Sequence, residues 1–259
     1  MVMVRFGARS GCALASLASL ALAGCSYNEA LGRNQLLLVD NSALAGAAQQ
    51  AWDQALNSGK VSRDARANGR VREVGSRIVQ AAGLADRPWQ YVVFEDPTAN
   101  AFVLPGGQIG VNTGLLAVVE NDDQLAAVLG HEIAHMTSNH AAERYSQTAA
   151  AQLGLGVAQG VLGGASTTGG QAVASLGGVG AQLGVLLPFS RRHELEADRL
   201  GLDYMARAGY RPSAAIQLWR NMAAGRGGSG GAGGLTSTHP SDADRIAALQ
   251  AHIAQRGYG

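Results

Sequence analysis

Gly130-His131-Glu132-Ile133-Ala134-His135 sits in the middle of a helical pattern and decides the reading of the whole chain. At ~100° per residue the two histidines stand about 40° apart and one turn up, so both imidazoles can reach a single ion. Glu132 lies within about 100° of both, and its carboxylate can hang beside such an ion without binding it. Two neutral nitrogens and one carboxylate at this spacing suit a zinc-bound water with a general base. The neighbours Leu129, Gly130, Ile133 and Ala134 are apolar or small, which predicts a buried helix. Buried His and Glu need partners, and a metal is one. The helix is expected to start after Asn121-Asp122-Asp123, which offers caps and favourable charge at the positive helix end, and to run on to about Tyr145.

A third donor decides the class of site. A metzincin pattern needs glycine at position 138 and histidine at 141, where this chain has Ser138 and Ala141. His140 stands about 140° round the helix from His135 and reads as a surface residue or one behind the ligands. The better source is Phe189-Ser190-Arg191-Arg192-His193-Glu194-Leu195-Glu196-Ala197-Asp198. Glu194 and Asp198, four residues apart on one face of a second helix, can bind zinc and orient a ligand histidine through its other nitrogen. Glu196 points away from that pair and is expected in solvent.

Around these two helices the pattern alternates. Helices are expected from Leu44 to Gly59 and from about Asp64 to Ala82. Strand-like runs follow at Tyr91–Phe94, Ala101–Leu104 and Ile109–Val111, the last two joined by a tight turn at Pro105-Gly106-Gly107. From Tyr145 to Ser190 there are 46 consecutive residues without a charge, rich in glycine and alanine; no apolar window in them is long enough to span a bilayer, and they read as a helical hairpin packed on the core or at a protein interface, with a membrane-surface or substrate-gating role as the alternative. The second metal helix is expected over Arg192–Ala208, closed by Gly209. Another follows Pro212-Ser213, a tract of seven glycines occupies 225–234, and a last helix starts near Pro240-Ser241.

Residues 1–24 read as a secretory signal: Arg5 and Arg9 precede a short apolar stretch that ends in Leu22-Ala23-Gly24-Cys25. That ending resembles the bacterial lipobox, in which Cys25 is lipidated. With Ser26 following, it implies an address at the periplasmic face of the outer membrane. Residues 25–43 then form a lipid-anchored linker, and 44–259 the folded domain, with 145–190 as an insert and 225–238 as a flexible loop. Cys12 and Cys25 are the only cysteines, so no disulfide is expected and the core or a metal must hold the fold. The net charge of +1 and the absence of any basic tract leave nucleic acid without an electrostatic footprint.

Four stretches occur in order: Asn100-Ala101-Phe102-Val103-Leu104-Pro105-Gly106-Gly107, Gly130 to His135, Ser190-Arg191-Arg192-x-Glu194-x-x-Ala197-Asp198, and Ser237-Thr238-His239-Pro240 with Arg245. Together they resemble the M48 peptidases, in particular their periplasmic lipoprotein branch, over about residues 65–255. The resemblance implies a mainly helical α+β, gluzincin-like domain with a small antiparallel sheet and one zinc ion per chain. It implies His131, His135 and Glu194 as ligands, Glu132 as catalytic base and Asp198 as the group orienting a ligand. It also implies a substrate that pairs with an edge strand, with Asn100, Ala101 and Phe102 nearest the cleft. His239 belongs by the same resemblance to a histidine loop at the zinc, where it either stabilises the oxyanion or blocks the fourth position. The activity implied is endoproteolysis of misfolded or stalled cell-envelope proteins. The alternative is a lipid-anchored chaperone or outer-membrane assembly factor whose peptidase is latent.

Overall fold

The computed structural model describes residues 25–161, 189–223, 234–235, 239 and 243–258. Residues 1–24, where a signal was expected, most of the glycine-rich insert expected as a helical hairpin, and most of the 225–238 tract expected as a flexible loop lie outside these residues.

The described chain begins with a hairpin, β1 (Cys25–Asn28) against β2 (Arg33–Leu36), with Gly32 at φ 66° in its turn. This replaces the linker expected over 25–43. The hairpin is held by buried polar side chains, Gln35 among them, and these carry no hydrophobic period for a sequence reading to detect. Helix α1 (Asn41–Ser58) follows, capped by the Asp40 carboxylate, which accepts from the Ala43 amide. Helix α2 (Ala65–Ala81) is capped in the same way by Asp64. Both caps offset orphan amides at the helix start.

Strands β3 (Gln90–Phe94), β4 (Ala101–Leu104) and β5 (Gln108–Asn112) form one sheet in the order β3-β5-β4. The small sheet was expected to be antiparallel; it is mixed, with β4 antiparallel and β3 parallel to β5. The tight turn after Leu104 commits β4 to β5. The bend over 95–100, where the Asp96 carboxylate accepts from the Thr98 amide, carries the chain past the site that β5 fills.

The sheet separates two apolar layers. On one face Phe94, Phe102 and Leu104 pack on Ala48 and Trp52 of α1. On the other, Val93, Ala101, Ile109 and Val111 join the main core with α2 and the metal helix. Gly110 is required beneath Phe102: a Cβ there would lie 2.3 Å from the ring.

Short helix α3 (Thr113–Val118) leads to α4 (Asp122–Thr137), whose amides Asn121 caps as expected. Helix α4 does not continue to Tyr145. Asn139 takes the left-handed conformation (φ 54°), which asparagine tolerates better than most residues, and α5 (His140–Val161) starts afresh in a new direction. Helix α6 (Arg191–Arg207) carries the second motif, its Ser190 hydroxyl accepting from the His193 amide. Helices α7 (Ala214–Ala223) and α8 (Ala243–Arg256) complete the eight helices among the described residues.

Candidate metal centre

Helices α4 and α6 cross with backbone against backbone. A Cβ on Gly130 would stand 3.0 Å from the Gly201 carbonyl oxygen, and one on Gly201 would stand 3.0 Å from the His131 nitrogen. This close approach sets Glu194 opposite the two histidines of α4. His239 is brought in from a third direction: its amide donates to the Leu235 carbonyl, and the Leu235 amide donates to the Ala99 carbonyl just before β4.

The result is a buried cluster in which His131, His135, Glu194 and His239 each present one donor atom, all four within 4.8 Å of one another. His131 Nε2 lies 3.0 Å from His135 Nε2 and 3.1 Å from His239 Nδ1. Glu194 Oε1 lies 3.0 Å from His239 Nδ1 and 3.4 Å from His135 Nε2. Donors of a tetrahedral zinc at the usual ~2.0–2.1 Å bond length stand about 3.3 Å apart, so the set fits that ion.

The electrostatics agree with a cation at this place. Burial disfavours charge on His131, but Asp198 and Glu194 outweigh it and hold a proton there, up to about 9. The same two carboxylates can hold a metal cation in its place. Burial drives His135 well below the usual imidazole range, leaving it a neutral donor. Burial raises Glu194, yet hydrogen bonds from His131, His135 and His239 keep it ionised far below the ordinary carboxylate range. Glu132 differs: burial raises it, only partly countered by His239 and His131. A carboxyl shifted upward beside a metal is suited to accept and return a proton. Its Oε1 lies 3.4 Å from His239 Nε2, so His239 spans the gap between the base and the donor cluster.

Behind the donors stands an arginine from the last helix. Asp198 Oδ1 meets His131 Nδ1 at 2.9 Å. Arg245, 1% exposed, donates to Asp198 from Nε (2.8 Å) and Nη2 (2.7 Å) and pairs with Glu194 Oε2 through Nη1 (2.7 Å). Its guanidinium lies 4.1 Å over the Trp219 ring. On the other side Phe189 covers the site, with ring centroids 4.0 Å from His135 and 5.2 Å from His239, and Arg144 lies over its outer face.

His140 is buried completely, and of the two places the sequence left open for it, the surface or behind the ligands, it takes the second. The break at Asn139 turns it back so that its Nδ1 meets His135 Nδ1 at 3.0 Å, and burial holds it neutral, down to about 4. Glu196, expected in solvent, accepts from His140 and Arg33. Burial would raise it, but these two donors bring it down to about 2. It does point away from the metal donors as the helical wheel requires; the hairpin from 163 residues earlier is what covers it.

A groove runs from this cluster along β4, with Leu44 and Ala48 of α1 as its far wall and Asn100 and Phe102 along its side. The Asn112 amide donates to the Asn100 carbonyl, which makes Asn100, Phe102 and Leu104 the residues bonded to β5. The amides and carbonyls of Ala101 and Val103 therefore face the free edge. Asn100, Ala101 and Phe102, which the sequence reading placed at the cleft, all line this groove. Spacing gave no sign of Arg33, Phe189 or Trp219, whose partners are remote in sequence.

The chain belongs to peptidase family M48, whose model matches residues 65–253; the family is zinc-dependent. It is 41% identical over 180 residues to the mitochondrial metalloendopeptidase OMA1 of Schizosaccharomyces pombe, covering 70% of this chain and 51% of that protein. It is 39% identical over 165 residues to its Saccharomyces cerevisiae counterpart, covering 61% and 45%. To the β-barrel assembly-enhancing protease of Yersinia pestis it is 30% identical over 158 residues, covering 59% and 32%. The chain thus spans about half the length, or less, of these curated relatives.

These similarities correct one expectation. Relatives at 41%, 39% and 36% identity are mitochondrial proteins, which overturns the outer-membrane address drawn from Leu22-Ala23-Gly24-Cys25. The family is established, and its periplasmic lipoprotein branch is not. Cys25 opens β1 with an exposed side chain, and no helix among the described residues is long and apolar enough to cross a membrane.

Proposed function

We propose that this chain is a zinc-dependent endopeptidase acting on misfolded or stalled proteins of a membrane system. The observation that carries the reading is the convergence of His131 Nε2, His135 Nε2 and a Glu194 oxygen with Glu132 alongside. His131, His135 and Glu194 hold the metal, and Asp198 orients His131. Bound zinc supplies Lewis acidity toward the scissile carbonyl and lowers the pKa of a bound water. Glu132 takes the proton of the attacking water and returns it to the leaving amine. The substrate lies extended along β4 and pairs with the outward amides and carbonyls of Ala101 and Val103. Asn100 and Phe102 line its path. The substrate class is supported by relatives named as mitochondrial metalloendopeptidases and β-barrel assembly-enhancing proteases.

His239 governs the resting state. With Nδ1 among the metal donors and Nε2 toward Glu132, it fills the fourth position; swung out, its imidazole is available to stabilise the oxyanion of the transition state. This closed arrangement also favours a second reading, an assembly factor whose peptidase is normally shut. The test is cleavage of an unfolded protein by zinc-loaded chain. His239→Ala should cleave faster than wild type if blocking dominates, and Glu132→Gln should bind zinc and cleave nothing. If neither wild type nor His239→Ala cleaves with zinc bound, the endopeptidase reading fails.

A further inference from the structure

We propose that Arg33, Glu196 and His140 form a positioning relay for the metal donor His135, which makes the N-terminal hairpin a working part of the metal centre. His135 turns Nε2 to the donor cluster, so its Nδ1 carries the proton and donates to His140 Nδ1 at 3.0 Å. His140, accepting at Nδ1, must carry its own proton on Nε2, which donates to Glu196 Oε2 at 3.0 Å. Glu196 in turn accepts from Arg33 Nε at 2.5 Å and Nη2 at 2.7 Å. Each link has only one consistent donor and acceptor, so the tautomers of both imidazoles and the ring plane of His135 are fixed from the hairpin inward.

Arg33 is itself held from the far side. Its Nη1 and Nη2 each donate to Glu143 at 2.8 Å, and Glu143 also accepts from Gln35 at 2.7 Å. The same Gln35 amide reaches the Ser138 carbonyl, and Asn41 reaches the Met136 carbonyl. The segment thus adds side-chain donors to the Met136 and Ser138 carbonyls at the C-terminal end of α4, immediately after His135. Arg33 and Gln35 both precede residue 65, where the family match begins. His131 has one carboxylate between it and Arg245; His135 reaches an arginine through His140 and Glu196. Both donor histidines of α4 therefore end on a buried or half-buried guanidinium.

The inference rests on the metal-centre reading, and the experiment separates the two. Zinc affinity of the full chain is measured by competition with a chromophoric chelator, the visible spectrum is recorded with Co2+ in place of zinc, and the metal-free proteins are melted in parallel. His140→Ala should weaken zinc about 10–100-fold and alter the cobalt bands. Arg33→Met should weaken it in the same direction by less. The double variant should be no weaker than His140→Ala, because both act through one chain. His140→Asn, whose Oδ1 can still accept from His135, should recover part of the loss; it and Arg33→Met carry the test if His140→Ala does not fold. Affinities within twofold of wild type, losses that multiply in the double variant, or lowered melting temperatures with unchanged cobalt bands would each overturn the relay. A wild-type chain that binds no zinc would instead overturn the metal centre itself.

Discussion

Gly130 and Gly201 touch where α4 crosses α6, and the contact is between backbones. An alanine at 201 gains up to about 1 kcal/mol in helix propensity but forces the helices apart, and overpacking of this kind costs about 1–3 kcal/mol. Valine adds bulk without the full propensity gain. Gly201→Val should therefore unfold at clearly lower denaturant than wild type and bind zinc more weakly, since its Cβ presses on His131. Unchanged zinc affinity would show that the crossing does not set the donor geometry.

Arg245 holds Glu194 and Asp198 together in a site closed to solvent. Arg245→Met leaves two buried carboxylates without that cation, a loss of about 3–5 kcal/mol. Zinc returns positive charge to the same place. The melting temperature of Arg245→Met should rise on adding zinc by more than that of wild type; an equal rise would mean that the arginine serves packing against Trp219 alone.

The register of β4 separates two proline substitutions. The Val103 amide faces the free edge, where proline is tolerated, whereas the Phe102 amide is bonded into the sheet. Val103→Pro should keep the fold, raise KM for an extended peptide and leave kcat nearly unchanged. Phe102→Pro should destabilise the sheet outright. A Val103→Pro enzyme with normal KM would remove β4 from the substrate path.

Glu143 supplies a pH signature. Burial raises its carboxyl, but His193, Arg33 and Gln35 hold it well below the usual range in the folded chain. Its folded pKa is depressed, so its stabilisation is present above the unfolded value of about 4.3 and is lost as pH falls toward the folded value. In metal-free protein Glu143→Gln should be less stable than wild type at pH 7, and the gap should narrow steadily below about pH 4.3. Parallel melting curves down to pH 2.5 would contradict this role.

What the sequence disclosed was local. The histidine pair one turn apart, the Asn121 cap and the Pro105-Gly106-Gly107 turn are short-range signals, and the structure has them in place. What it concealed depended on remote partners. A helical wheel sends Glu196 outward correctly but cannot know that Arg33 waits there. A wheel extended through Ser138 cannot choose between surface and interior for His140, because one left-handed residue at Asn139 redirects everything after it. The parallel pairing of β3 with β5 likewise follows from a bend and a neighbouring hairpin, not from any pattern within β3.

Arg33 and Arg245 bracket the site from residue 33 and from residue 245, with all four donor side chains between them in the chain. During synthesis the first arginine emerges before any donor and the second only after the last. A partly made chain holds the histidine pair without the guanidinium that secures Asp198 and Glu194. The two carboxylates at the donor cluster are therefore neutralised from the C-terminal side only once residue 245 has joined the fold.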